Sequence, residues 1–165
     1  MAKINNLTVV FICSDLCGGK SFRANELRGE FERAGLKVRI TEISSIVASI
    51  LNEQTREKLQ GHPELDIQIT NTLVDLFNGE SDTIHIVVGV RQRSILKAFD
   101  WIENKSLQWI ETPIKTRYKR FLKRGDLKDK SSLYPNITPK ELFITYNKKD
   151  QELGLGEVEN LIKYL

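Results

Sequence analysis

A chain of 165 residues with 40% apolar content can build a full hydrophobic core and is too apolar for a disordered segment. No apolar run approaches the roughly 20 residues that span a bilayer, and residues 1–6 lack the apolar core of a signal peptide, so a cytoplasmic protein is expected. The formal charge of +3 suits anionic ligands and is too small to argue by itself for nucleic acid.

In chain order the pattern alternates strand and helix. Residues 7–14 form an almost wholly apolar run, expected as a strand buried on both faces. A helix is expected over 20–34, closed by Gly35, then a second strand over 37–43. Ser44 and Ser45 open a helix to about residue 60, the sequence Gly61-His62-Pro63 interrupts it, and another helix covers 64–78. Strand three is expected at 83–90, a helix at 91–104, strand four at 107–111 and a helix at 113–124. A polar loop over 125–139, a fifth strand at 142–146 and a last helix at 157–165 complete the reading. Such alternation predicts an α/β fold, a single domain over 1–165 with a parallel five-stranded sheet and helices on both faces. Ligands in such sheets bind beyond the carboxyl ends of the strands, where Ser14, Glu42, Arg91, Thr112 and Asn147 are expected to lie.

The segment LTVVFICSDLCGGKS, residues 7–21, carries the strongest chemical signal. A buried strand leads through a glycine-containing loop into Gly19-Lys20-Ser21 and a helix. That is the layout of a phosphate-binding loop, with backbone N–H groups around a polyphosphate, Lys20 at its distal phosphates and the Ser21 hydroxyl at Mg²⁺. Gly18 and Gly19 allow close backbone approach. Ser14 stands where the motif has its first glycine, and Asp15 puts a carboxylate inside the loop, either turned away or orienting a metal-bound water. Cys13 and Cys17 read as thiols, and Cys17 reads mainly as a small residue filling the turn.

Strand three ends without the acidic residue that often holds Mg²⁺ through water. Glu42, at the end of strand two, is the carboxylate left for that role or for accepting a proton, or else it caps the following helix. Arg91 can clamp a substrate phosphate. Arg117, Arg120 and Arg124 recur on one helical face, as a clamp for a transferring phosphoryl group, a solvated basic face or a nucleic-acid backbone patch.

Taken in order, the segments SDLCGGKS, Gly89-Val90-Arg91 with ILKAFDWIE, WIETPIKTRYKRFLKR and LFITYNKKDQELGLGEVENLIKYL resemble the P-loop nucleoside monophosphate kinases. The resemblance is to the phage-type deoxynucleoside monophosphate kinase and dephospho-CoA kinase-like group. It implies a three-layer P-loop NTPase fold and ATP-dependent phosphoryl transfer to a (deoxy)nucleoside monophosphate or a similar small phosphorylated acceptor. It further implies that Ser14, Asp15, Cys17, Gly18, Gly19, Lys20 and Ser21 hold ATP, with Mg²⁺ on Ser21. Arg91 would meet the acceptor phosphate. Arg117, Arg120 and Arg124 would flank a lid at about 117–132, Asn147 would lie near the base, and residues 44–80 would form the acceptor-side wall. Two other readings stay open: a catalytically degenerate nucleotide-binding protein acting through a partner, and a kinase or binder acting on nucleic acid.

Overall fold

The computed structural model describes residues 7–53, 62–124 and 136–164. Among these, β1 (Thr8–Ser14) is the central strand of the sheet, because its run of valine, phenylalanine and isoleucine is buried on both faces. It pairs in parallel with β3 (Ile84–Val88) on one side and β4 (Asn104–Ile110) on the other. β2 (Val38–Glu42) adds beyond β3 in parallel, giving the order β2-β3-β1-β4 in a four-stranded sheet.

Alternation along β1 sorts two cores. Val9, Phe11 and Cys13 face one layer, built from α2 (Ile43–Leu51), α3 (Asp66–Gly79), α4 (Arg93–Lys97) and α7 (Gly156–Lys163). Phe99 centres that layer, with ring centroids 5.9 Å from Phe11 and 5.3 Å from Phe77. Val10 and Ile12 face the other side, against Ala24 and Leu27 of α1 (Lys20–Arg33). Gly35 closes α1 with φ +82°, where the Leu36 N–H reaches the Phe31 carbonyl and the Gly35 N–H reaches that of Glu32.

Several elements differ from the sequence reading. The expected fifth strand at 142–146 is helix: it lies inside α6 (Pro139–Asp150). Thr138 and Glu141 form a reciprocal capping box, Thr138 Oγ1 accepting from the Glu141 N–H at 3.2 Å and Glu141 Oε2 from the Thr138 N–H at 3.1 Å, with Pro139 in the first turn. Leu142, Phe143, Tyr146 and Asp150 then share the buried face while Ile144 is exposed, a helical period that overrides the β-prone composition. The helix expected over 91–104 shrinks to Arg93–Lys97, and β4 begins earlier than residue 107. Pairing from Thr8↔Asn104 to Ser14↔Ile110 draws residues 104–106 into the ladder. Helix α2 starts at Ile43 rather than Ser44 and reaches Leu51; the continuation expected to about 60 lies largely outside the described residues.

A third apolar cluster bears on function. Leu16 and Cys17 pack with Phe121 of α5 (Ile114–Arg124) and with Leu142, Phe143 and Tyr146 of α6. The α5–α6 pair thus backs the loop that follows β1. The lid expected at 117–132 is described only through 124, as α5; its remainder lies outside the described residues.

Candidate functional site

The loop between β1 and α1 turns on two left-handed residues, Cys17 at φ +58° and Gly19 at φ +91°. The Gly18 N–H closes onto the Asp15 carbonyl at 3.0 Å. A Cβ on Gly18 would stand 2.3 Å from Ser14 Oγ and 2.9 Å from the Asp15 carbonyl oxygen, so this position admits no side chain without movement. Three successive carbonyls are held from the α5 side: Leu16 by Arg117 Nη1 at 3.2 Å, Cys17 by Arg120 Nη1 at 3.2 Å, and Gly18 by Thr112 Oγ1 at 2.8 Å. No side chain caps the N-terminus of α1, whose first residues are Lys20 and Ser21. Uncapped first-turn N–H groups and the helix dipole make such an end favourable for an anion.

Lys20, Ser21, Glu42, Arg91, Arg120 and Arg124 line one cavity of about 370 Å³ at the carboxyl edge of the sheet, together with Cys17, Gly18 and Gly19. Ser21 Oγ donates to Glu42 Oε1 at 2.9 Å. Glu42 precedes α2 but makes no capping hydrogen bond to it, so its carboxylate belongs to the cavity. Lys20 Nζ lies 3.3 Å from Ser14 Oγ, which also donates to the Asp15 carbonyl at 2.8 Å. Ser14 is therefore a buried support under the lysine. Arg91 sits in the link after Gly89, two residues before α4 rather than opening a helix.

The other expected site residues lie behind the loop. Asp15 turns away from the cavity: its carboxylate accepts from Gln151 Nε2 and stands 3.9 Å from Arg117 Nη2. Burial raises the Asp15 carboxyl above its ordinary range, with Arg117 and the Gln151 hydrogen bond opposing. Arg117 is only 6% exposed, and its Nη1 also donates to Asn147 Oδ1 at 2.7 Å, so both residues sit in the frame rather than the cavity wall. The guanidinium further donates to the Thr112 carbonyl and lies over the Phe143 ring. Helical spacing could not separate Arg117 from Arg120 and Arg124; the packing of α6 does. Burial pushes the Cys13 thiol up to about 12, with Lys20 and a hydrogen bond at Val90 opposing, so it stays protonated.

The cavity also has members that the sequence reading did not single out. Phe22 is 76% exposed at the cavity rim, and Leu16, Ser44 and Val88 add to the wall. Their signal lies only in their place in the sequence, beside Ser14–Ser21, Glu42 and Gly89-Val90-Arg91.

Neither the protein-family models nor the curated proteins contain a match to this sequence. Solved structures do match. A sugar kinase from Janibacter sp. HTCC2649 aligns with a TM-score of 0.59 at 13% identity, over 90% of this chain and 98% of the other. A shikimate kinase from Bacteroides thetaiotaomicron aligns at 0.55 and 12% identity, over 88% and 78%. A second, from Acinetobacter baumannii in complex with shikimate, aligns at 0.53 and 11% identity, over 94% and 82%. At these identities the likeness is one of fold alone, an α/β architecture on a parallel sheet that this chain shares with these kinases.

Proposed function

We propose that this chain transfers the γ-phosphoryl group of ATP to a small acceptor bearing an anionic group, with a (deoxy)nucleoside monophosphate as the leading acceptor. One observation carries the proposal: the uncapped N-terminus of α1, opening with Lys20 and Ser21, shares a single cavity with a carboxylate and three arginines. In this reading the first-turn N–H groups and Lys20 hold the donor's terminal phosphates. Arg120 and Arg124 take up the charge that spreads over the transferring group, and Arg91 meets the acceptor's anion. An acceptor oxygen forms the new bond to phosphorus as the bond to the ADP oxygen breaks. A phosphate acceptor is already ionised, so no proton has to move.

The Ser21 hydroxyl and the Glu42 carboxylate fit Mg²⁺, a hard cation that takes oxygen ligands, and they would hold it between them. When bound, the ion would neutralise phosphate charge. Glu42 thereby serves where strand three lacks an acid. The sugar kinase and shikimate kinases that share the fold widen the acceptor class to sugars and shikimate, whose hydroxyl groups would need a base.

The test is transfer of label from γ-labelled ATP with Mg²⁺ to a panel of nucleoside and deoxynucleoside monophosphates, dephospho-CoA, sugars, shikimate and DNA. A product is expected whose formation falls about a hundredfold or more in Lys20→Ala, with circular dichroism and melting unchanged. Near-normal turnover in a folded Lys20→Ala protein would refute the assignment. ATP binding without product on any acceptor would favour the non-catalytic nucleotide-binding reading.

A further inference from the structure

Arg91 reaches the cavity wall from a short link between β3 and α4. Its side chain is long and flexible, and a guanidinium that must meet an anion in a fixed place gains from an anchor outside the cavity. Such an anchor is present. Asp150 ends α6 with its side chain 4% exposed, and its Oδ1 lies 3.7 Å from Arg91 Nε. A carboxylate this deeply buried is costly unless cationic or hydrogen-bonding groups meet it. Arg91 meets it from the cavity side.

The link at Arg91 and Gln92 is held from the same segment. Asp150 leads into the segment Gln151–Leu155, a turn in which the chain kinks at Gly154 between α6 and α7. Gln92 Nε2 donates to the Leu153 carbonyl at 2.7 Å. Gly154 adopts φ +139°, and a Cβ there would stand 2.6 Å from the Arg91 carbonyl oxygen and 2.6 Å from Gln92 Oε1. Only glycine lets the turn press so closely on the link. Gln151, the first residue of the turn, donates to Asp15 behind the phosphate loop. One turn therefore touches both the loop and the arginine link.

We propose that Asp150 is a positioning residue that holds the Arg91 guanidinium against the cavity wall, so that the acceptor's anionic group meets a preset cation. This rests on Arg91 being the acceptor contact. Asp150 touches no substrate in this scheme and acts through Arg91.

Two readouts test it. The first needs no turnover: water exchange of the arginine Nε–H groups is followed by ¹H–¹⁵N correlation, with the Arg91 signal assigned by its loss in Arg91→Lys. Exchange at Arg91 is expected to quicken about tenfold or more in Asp150→Asn, and equal exchange in the two proteins would overturn the proposal. The second is a kinetic cycle of Arg91→Ala, Asp150→Asn and the double variant. Asp150→Asn is expected to raise the acceptor KM about tenfold while the KM for ATP holds, and the double variant to be no worse than Arg91→Ala. Additive losses, or a rise in both KM values, would mark Asp150 as merely structural. If Arg91→Ala leaves the acceptor KM unchanged, the acceptor role of Arg91 fails, and the exchange measurement still decides whether Asp150 orders it. Should Asp150→Asn not fold, Asp150→Glu keeps the charge on a longer stem and is expected to quicken exchange and raise the acceptor KM in the same direction.

Discussion

Two loop residues illustrate opposite demands on a single side chain. Gly18 must have none, because a Cβ would meet Ser14 Oγ at 2.3 Å and the backbone oxygen of Asp15 at 2.9 Å. Gly18→Ala is expected to cost about 1–3 kcal/mol in urea-unfolding stability and to abolish transfer, since the loop must shift to accept the methyl group. Asp15 carries a charge where burial opposes it. Its native carboxyl is raised above the ordinary 3.8, so between that value and the native one the folded state binds more protons than the unfolded. Stability from this group is therefore full at acid pH and declines as pH rises through the window. Relative to wild type, Asp15→Asn is expected to gain stability as pH climbs past 3.8 and to level off above the native value. Urea midpoints of both proteins across that range measure it, and a pH-independent gap would contradict it.

On helix α5 one arginine-rich face splits into frame and site. Arg117 is buried and donates to the Leu16 and Thr112 carbonyls and to Asn147, while Arg120 is exposed at the cavity. Arg117→Leu would leave those acceptors without their donor and Asp15 without its nearby cation. A loss of about 3 kcal/mol in unfolding free energy is expected. Arg120→Leu, which loses one hydrogen bond to the Cys17 carbonyl at an exposed position, is expected to cost about 1 kcal/mol or less and to slow transfer about a hundredfold. Equal destabilisation by the two changes would show that the split is wrong. Lys115, Lys119 and Lys123 are exposed on the same helix and are the residues that a nucleic-acid reading would have to use.

For the molecule as a whole, the cavity joins the loop after β1 with β2, β3, α1, α2 and α5, and nothing local supplies it. A ligand bound there ties the central strand to the edge strand and to the helix behind the loop. Saturating ATP with Mg²⁺ at about a hundred times its Kd is expected to stabilise the fold by about 2.7 kcal/mol, seen as a rise in Tm. Lys20→Ala should lose most of that rise, and an undiminished shift in that variant would move the nucleotide site elsewhere. Among the described residues no helix is long and apolar enough to cross a membrane.

What the chain determined by itself is what depends on neighbours in sequence. The strand–loop–helix passage at residues 8–33 was legible because apolar run, glycines and helical pattern are contiguous, and β1 because a continuous apolar run can be stable only when covered on both faces. The helix over residues 142–146 was legible too, through Thr138, Pro139 and Glu141, yet its β-prone residues spoke louder when read alone. Tertiary structure decided the rest. Which arginine of α5 is buried depends on where α6 packs, and where β4 begins depends on its pairing with β1. That Glu42 meets Ser21, and Arg91 meets Asp150, depends on chain folding that brings distant carboxylates and donors together. Hydrophobic period is a local quantity, but the partner of a charged side chain is set by which surfaces the sheet order brings into contact.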